Sequence, residues 1–364
     1  MSSILEHLLK IGDIITKLPI VQGGMSVGIS SSGLAAAVSN EGAIGVIGTA
    51  DIGMNEPDFR NNFLEANSRA LRKEIRKARK LSKGILGVNI MVALTNFADL
   101  VKTAIEEGID IIFSGAGVPK NLPGFLKENS KTKLVPIVSS ARAARIIANW
   151  WTEKYNYFPD AVVVEGPKAG GHLGFSEEHI NDPEYALEKI IPRVIETLKP
   201  YEEKYGKPIP VIAAGGIYTG ADIHKFFRLG AAGVQMATRF VTTNECDANI
   251  RFKEAYINAK ESDITIIKSP VGMPGRAIRN AFLDEVSQGK RKPFKCPYHC
   301  LKTCELEKSP YCISFALINA QRGNLDRGFA FCGVNAYRAE KIISVKELIE
   351  TLKEEYRIAC EEKS

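Results

Sequence analysis

The chain has 364 residues, 45% of them hydrophobic and 25% charged, the balance of a globular protein with a sizeable core. That excludes a disordered or fibrous chain, and no run of ~18 apolar residues offers a membrane span. The 48 Lys+Arg against 42 Asp+Glu leave +6, too mild for nucleic-acid binding unless the excess is clustered.

The first segment, Met1 to Leu18, carries Glu6, Lys10 and Asp13 and has no signal-peptide core. It is expected to form a short amphipathic helix of a cytoplasmic protein. Eight apolar runs rich in Val and Ile then follow: Leu18–Gln22, Ala43–Gly48, Ile85–Met91, Ile109–Ser114, Lys133–Ser139, Ala161–Glu165, Ile209–Ala213 and Gly233–Ala237. They mostly lack alternation, as strands buried on both faces of a parallel sheet do. Helical patterns separate them, at Leu34–Ser39, Asp58–Leu81, Phe97–Glu107, Leu122–Glu128, Ala141–Trp151, Pro183–Tyr205 and Ala221–Leu229. Eight strands with seven intervening helices predict a (β/α)8 TIM barrel of the α/β class, with a doubly wound open sheet as the competing arrangement. The basic cluster from Arg69 to Lys83 is interleaved with Leu71, Ile75, Ala78 and Leu81 at helical spacing, which reads as a solvated helix face.

Past Phe240 the strand rhythm stops. Asn249–Ser262 reads as helix, Ile264–Lys268 as one further strand, and Ser344–Arg357 as an amphipathic terminal helix with a Ser344/Glu347 capping box. The expected division is a barrel over 1–285 and a cysteine-rich extension over 286–364 that packs on it.

A barrel of this type places its active site at the C-terminal ends of the strands. The first run ends in Gln22-Gly23-Gly24-Met25, where two glycines allow close backbone approach to a ligand, or simply a tight turn. The third run contains Asn89, whose amide needs partners, either a heterocycle edge or the core. The fourth ends in the small-residue loop Ser114–Pro119, with room for a planar ligand. The sixth runs into Glu165-Gly166-Pro167-Lys168-Ala169-Gly170-Gly171-His172-Leu173-Gly174, which presents an imidazole among glycines. A histidine there suits proton abstraction, although a lone histidine is more often structural. The seventh and eighth runs end in Ala214-Gly215-Gly216-Ile217 and Gln235-Met236-Ala237-Thr238, the position of the recurrent phosphate site built from glycine N–H groups and a helix N-terminus. No Walker loop is present, and no Gly-x-Gly-x-x-Gly follows the first strand.

As an ordered set spanning roughly residues 15–280, these segments resemble the nitronate monooxygenases (2-nitropropane dioxygenases) and their relatives, the flavin-dependent enoyl-ACP reductases. The resemblance implies a TIM barrel holding FMN. Its cofactor contacts would be Gly23, Gly24, Met25, Asn89, Glu165, Gly170, Gly171, Ala214, Gly215, Gly216, Gln235, Met236, Ala237 and Thr238, with His172 as the catalytic residue. It implies an FMN-dependent oxidoreductase that oxidises alkyl nitronates or nitroalkanes with oxygen. NAD(P)H-dependent reduction of an enoyl thioester is the alternative, and a non-catalytic flavin-binding protein the third reading. The expected partners are a small-molecule substrate and a second copy of the chain, with neither nucleic acid nor membrane.

All seven cysteines follow residue 245, and Cys296, Cys300, Cys304 and Cys312 fall within 17 residues, which argues against a disulfide framework. On a helix the first three would share one face. With His299 they could hold zinc or a cluster, act as redox or substrate-side thiols, or pack as small buried residues; no metal site is assigned. Asn335-Ala336-Tyr337-Arg338 is expected to reach back over the barrel mouth.

Overall fold

The computed structural model describes residues 3–293 and 295–362. Every expected apolar run forms a strand: β1 (Ile20–Gln22), β2 (Gly45–Gly48), β3 (Leu86–Met91), β4 (Ile111–Gly115), β5 (Lys133–Val138), β6 (Val162–Glu165), β7 (Val211–Ala214) and β8 (Gly233–Met236). All pair in parallel, in the spatial order 1-8-7-6-5-4-3-2. The ends of that order meet at a parallel bridge between Val21 and Ile44, so the sheet is a closed barrel rather than a doubly wound open sheet. At this seam the ladder is short, and a side chain extends it. Buried Gln22 accepts the Val46 N–H at 2.9 Å through Oε1 and donates to the Gly23 carbonyl through Nε2.

One end of the barrel is plugged. The first segment is not an amphipathic helix; it forms a hairpin, Lys10–Ile11 against Ile14–Ile15, turning at Gly12 with φ +60°. Leu9 and Ile11 are fully buried in one cluster with Val21, Val46, Phe113 and Val163. Leu9 packs on Gly233 at the start of β8, and Asp13 pairs with Lys133 at the start of β5 at 2.6 Å. The plug thus lies at the N-terminal ends of the strands. Burying such an apolar side chain is worth about 1.5–3 kcal/mol, which outweighs the helical preference of an isolated short segment.

The helices α1 (Ser32–Asn40), α2 (Phe63–Leu81), α3 (Phe97–Glu106), α4 (Ala141–Tyr155), α5 (Leu187–Tyr205) and α6 (Gly220–Arg228) ring the barrel. After β4 the expected helix shrinks to a single 3-10 turn, Leu122–Phe125, because Pro123 and Gly124 do not propagate one. On α2, Leu71, Ile75 and Ala78 are buried. Its arginines Arg69, Arg72, Arg76 and Arg79 pair with Glu56, Asp58, Glu106, Glu107 and Asp110, so the basic face is largely neutralised within the chain.

The terminal helix Val345–Glu361 is capped by Ser344, whose Oγ accepts the Glu347 N–H at 3.1 Å. It packs against both α6 and α1 and completes the helical ring. Residues 238–344 therefore leave the barrel after β8 and return to it. Within them, the expected helix over 249–262 spans only Ile250–Ile257. Ile264–Lys268 pairs antiparallel with Pro274–Ile278, which in turn pairs with Gly171–His172. This second sheet stands over the open, C-terminal end of the barrel.

Candidate active site

A cavity of about 490 Å³ occupies that open end. All fifteen residues singled out from the sequence border it: Gly23, Gly24, Met25, Asn89, Glu165, Gly170, Gly171, His172, Ala214, Gly215, Gly216, Gln235, Met236, Ala237 and Thr238. The loop after β1 is held by buried Ser30, whose Oγ accepts the Met25 N–H at 2.8 Å and donates to the Val46 carbonyl at 2.9 Å. Asn89 is anchored through its backbone, its carbonyl accepting from Thr49 Oγ1 at 2.7 Å.

Gly215 and Gly216 have φ of +94° and +85°, a left-handed pair that favours glycine. A Cβ on Gly216 would also meet Lys168 Cβ at 2.8 Å. The same end of the cavity is stitched from the inserted segment. Gly333 N–H donates to Thr238 Oγ1 at 3.1 Å, Val334 N–H to the Lys168 carbonyl at 3.2 Å, and Asn335 Nδ2 to the Gly216 carbonyl at 2.8 Å. Asn335 thus reaches back over the mouth as expected. The N-terminus of α6 is closed to an anion, because Asp222 accepts the N–H groups of Tyr218 and Thr219 at 3.0 and 2.9 Å. What remains for a phosphate is the glycine pair together with Ala237 and Thr238.

His172 sits on the small sheet, paired with Gly275. Its Nε2 lies 2.6 Å from Ser269 Oγ, its ring meets Phe331 edge-on at 4.9 Å, and burial pushes its pKa down to about 4. The imidazole is therefore neutral at physiological pH. Glu165, at the end of β6, has no cation beside it among the described residues, and burial raises its carboxyl to about 7. Asp51 borders the cavity too; its φ is +55°, Oδ1 has no partner among the described residues, and burial raises its pKa to about 6.

Two residues around the cavity escape the sequence reading, one behind its wall and one on it. Buried Arg276 donates from Nη1 to the carbonyls of Pro167 and Ala169 at 2.7 and 2.5 Å, clamping the loop that leads to His172. Lys168 lays its stem along Gly216 and stays exposed. Their signal was faint: one arginine in a strand of small residues, and one lysine in a glycine loop.

The cysteine-rich segment forms another wall. It is not helical, so Cys296, Cys300 and Cys304 share no helix face. It runs beside the loop after β3, with a bridge between Leu94 and Leu301 and Thr95 N–H donating to the Cys300 carbonyl at 3.1 Å. Cys300 is buried and accepts from Ser314 Oγ at 3.0 Å. Among the described residues, no group of three or more His, Cys, Asp or Glu side chains is placed to hold a metal ion.

A closed parallel barrel with one histidine, among the described residues, and glycine-lined loops at its C-terminal mouth has the architecture of a TIM barrel with a candidate active site, and comparison with known proteins places it further. A family model described as nitronate monooxygenase matches residues 8–355. A Staphylococcus aureus (strain JH9) protein described as "Probable nitronate monooxygenase" is 30% identical over 74% of this chain and 78% of its own. The (3aS,4S,5R,7aS)-5-hydroxy-7a-methyl-1-oxo-octahydro-1H-indene-4-carboxyl-CoA dehydrogenase of Mycobacterium tuberculosis (strain ATCC 25618 / H37Rv) is 28% identical over 75% of this chain and 66% of its own. The structure of FabK from Thermotoga maritima superposes with a TM-score of 0.72 at 30% identity, covering 94% of each chain. The chain belongs to the nitronate monooxygenase family. It is an oxidoreductase, which sets aside the non-catalytic reading.

Proposed function

We propose that the chain is an FMN-dependent oxidoreductase of nitronate monooxygenase type, acting on alkyl nitronates or nitroalkanes with oxygen. The observation that carries the reading is a neutral, half-buried imidazole on the wall of a glycine-lined cavity. The walls suit a flat, phosphate-bearing group. A Cβ on Gly171, at φ +76°, would meet no protein atom within 4 Å and would project into open space. The Gly215–Gly216 pair, with Ala237 and Thr238, would take the phosphate, and Lys168 would add a cation at the same end. Gly23, Gly24, Met25 and Asn89 would border the ring system, with Glu165, Gly170, Gly171, Ala214, Gln235 and Met236 completing the walls. When bound, FMN supplies a two-electron acceptor that oxygen can reoxidise.

The chain's own groups then have defined tasks. His172 accepts the α-proton of a nitroalkane, whose C–H electron pair moves onto the nitro group to give the nitronate. Burial keeps the ring unprotonated, and so able to accept a proton, across neutral pH, at a cost in base strength. The apolar side chains of Leu94, Leu301, Val271 and Phe331 line the cavity and would limit water around a bound substrate. Arg276 fixes the loop that leads to His172.

Reduction of an enoyl thioester with NAD(P)H is the second reading. It is favoured by the 30% identity to FabK and by a relative whose name specifies an acyl-CoA. Oxygen uptake with ethyl nitronate, set beside NADH oxidation with an enoyl thioester, separates the two. Nitronate-dependent uptake is expected; thioester-dependent NADH oxidation alone would reverse the assignment.

A further inference from the structure

The imidazole of His172 does not stand alone. Its Nε2 lies 2.6 Å from Ser269 Oγ, while Nδ1 has no partner among the described residues. Ser269 is 8% exposed and turns the chain between the two long strands of the small sheet, its Oγ accepting the Val271 N–H at 3.3 Å. The hydroxyl of Tyr311 lies against the Ser269 side chain and 3.5 Å from the Lys268 carbonyl. Tyr311 belongs to the cysteine-rich insertion, one residue before Cys312. An aromatic train holds it in place. Its ring meets Phe329 at 5.6 Å, Phe329 meets Phe331 at 5.0 Å, and Phe331 meets His172 at 4.9 Å.

We propose that Ser269 and Tyr311 are positioning residues that fix His172 as the Nε2–H tautomer, leaving the Nδ1 lone pair for the substrate proton. The direction follows from the far end of the chain of contacts. A carbonyl can only accept, so the Tyr311 hydroxyl donates to Lys268. The tyrosine oxygen then accepts the Ser269 proton. Ser269 Oγ, already accepting one N–H from Val271, takes its second from Nε2–H. Burial raises the Tyr311 pKa, so this terminal donor keeps its proton at any working pH. The consequence is chemical. With Nε2 protonated, the nitrogen left without a protein partner is a base. With Nδ1 protonated, it would be a hydrogen-bond donor, suited to polarising a carbonyl instead. The same train gives the insertion a task at the site: it orients the histidine.

The inference rests on His172 as the proton acceptor, but its primary test needs no turnover. The flavin-loaded protein is labelled with 15N-histidine, and the ring nitrogens are read by long-range proton–nitrogen correlation NMR. Only five histidines are present, and His172→Gln identifies the signal. A protonated Nε2 and a bare Nδ1 are expected in the parent. Protonation at Nδ1 in the parent overturns the proposal without any variant. Ser269→Ala should yield a tautomer mixture and Ser269→Thr should restore Nε2–H; an unchanged spectrum in Ser269→Ala also overturns it. Tyr311→Phe, which keeps the ring packing, should shift the ratio in the same direction. Kinetically, Ser269→Ala should lower kcat for nitroethane about tenfold, the factor one net hydrogen bond supports, and leave KM and turnover of ethyl nitronate near the parent values. Equal losses on both substrates contradict the proposal. A parent that turns over neither substrate defeats the functional reading and leaves the tautomer result standing.

Discussion

Glu165→Gln should remove one component of the protein's pH-dependent stability. The carboxyl ends β6 with no cation beside it among the described residues, and burial raises its pKa from an ordinary 4.5 to about 7. Below pH 4.5 the folded and unfolded chains both hold the proton, and the group costs nothing. Between pH 4.5 and 7 the folded chain holds a proton that the unfolded chain has released. Stability therefore falls with rising pH across this window and levels off above 7. Two and a half units correspond to about 3 kcal/mol, an upper value because water in the cavity solvates the carboxylate. Two neighbours titrate over overlapping ranges. Asp51, raised to about 6, adds a loss between its ordinary 3.8 and 6, whereas His172, lowered to about 4, gains stability with pH up to its ordinary 6.5. The difference between parent and variant isolates Glu165. Urea unfolding of the flavin-free proteins, in steps from pH 4.5 to 8, should show the variant gaining on the parent by up to about 3 kcal/mol by pH 7, with no further change above. A constant difference across the range would mean that Glu165 is solvated or paired, and would refute the reasoning.

Three further substitutions address the site. Gly216→Leu should weaken FMN binding about tenfold or more, since a side chain there would intrude where backbone N–H groups approach the phosphate; flavin content per folded chain checks this, and normal FMN affinity would place the phosphate elsewhere. His172→Ala should retain FMN and lose about 10²–10⁴-fold in turnover of nitroethane, with a much smaller loss on ethyl nitronate, which has already surrendered its proton. Equal losses in steady-state assays would indicate positioning rather than proton transfer. Arg276→Met should cost about 2 kcal/mol by urea unfolding, the loss of charged hydrogen bonds offset in part by relief of a buried charge; a change near zero would show that the clamp is idle.

The barrel was legible because strands buried on both faces declare themselves by unbroken runs of Val and Ile, and all eight appear where the pattern put them. The loops at their C-terminal ends were legible for a related reason: glycines, Asn89 and His172 are poor choices for a hydrophobic core. The plug at Leu9 and Ile11 was not, because a two-residue strand has no periodicity and its stabilisation comes from distant Phe113 and Val163. Reading Cys296, Cys300 and Cys304 by helical spacing failed because the segment follows its pairing with Leu94 and Thr95, which local sequence does not encode. Arg276 and Ser269 lie about a hundred residues beyond the loop they support, and only the small antiparallel sheet brings them to it.

Anaerobic titration of the purified, flavin-loaded protein tests the central claim most directly. Added stepwise without oxygen, ethyl nitronate should bleach the oxidised flavin absorbance, admission of oxygen should restore it, and NADH alone should leave it unchanged. Bleaching by NADH, with none by the nitronate, would contradict the account and transfer the site to enoyl thioester reduction.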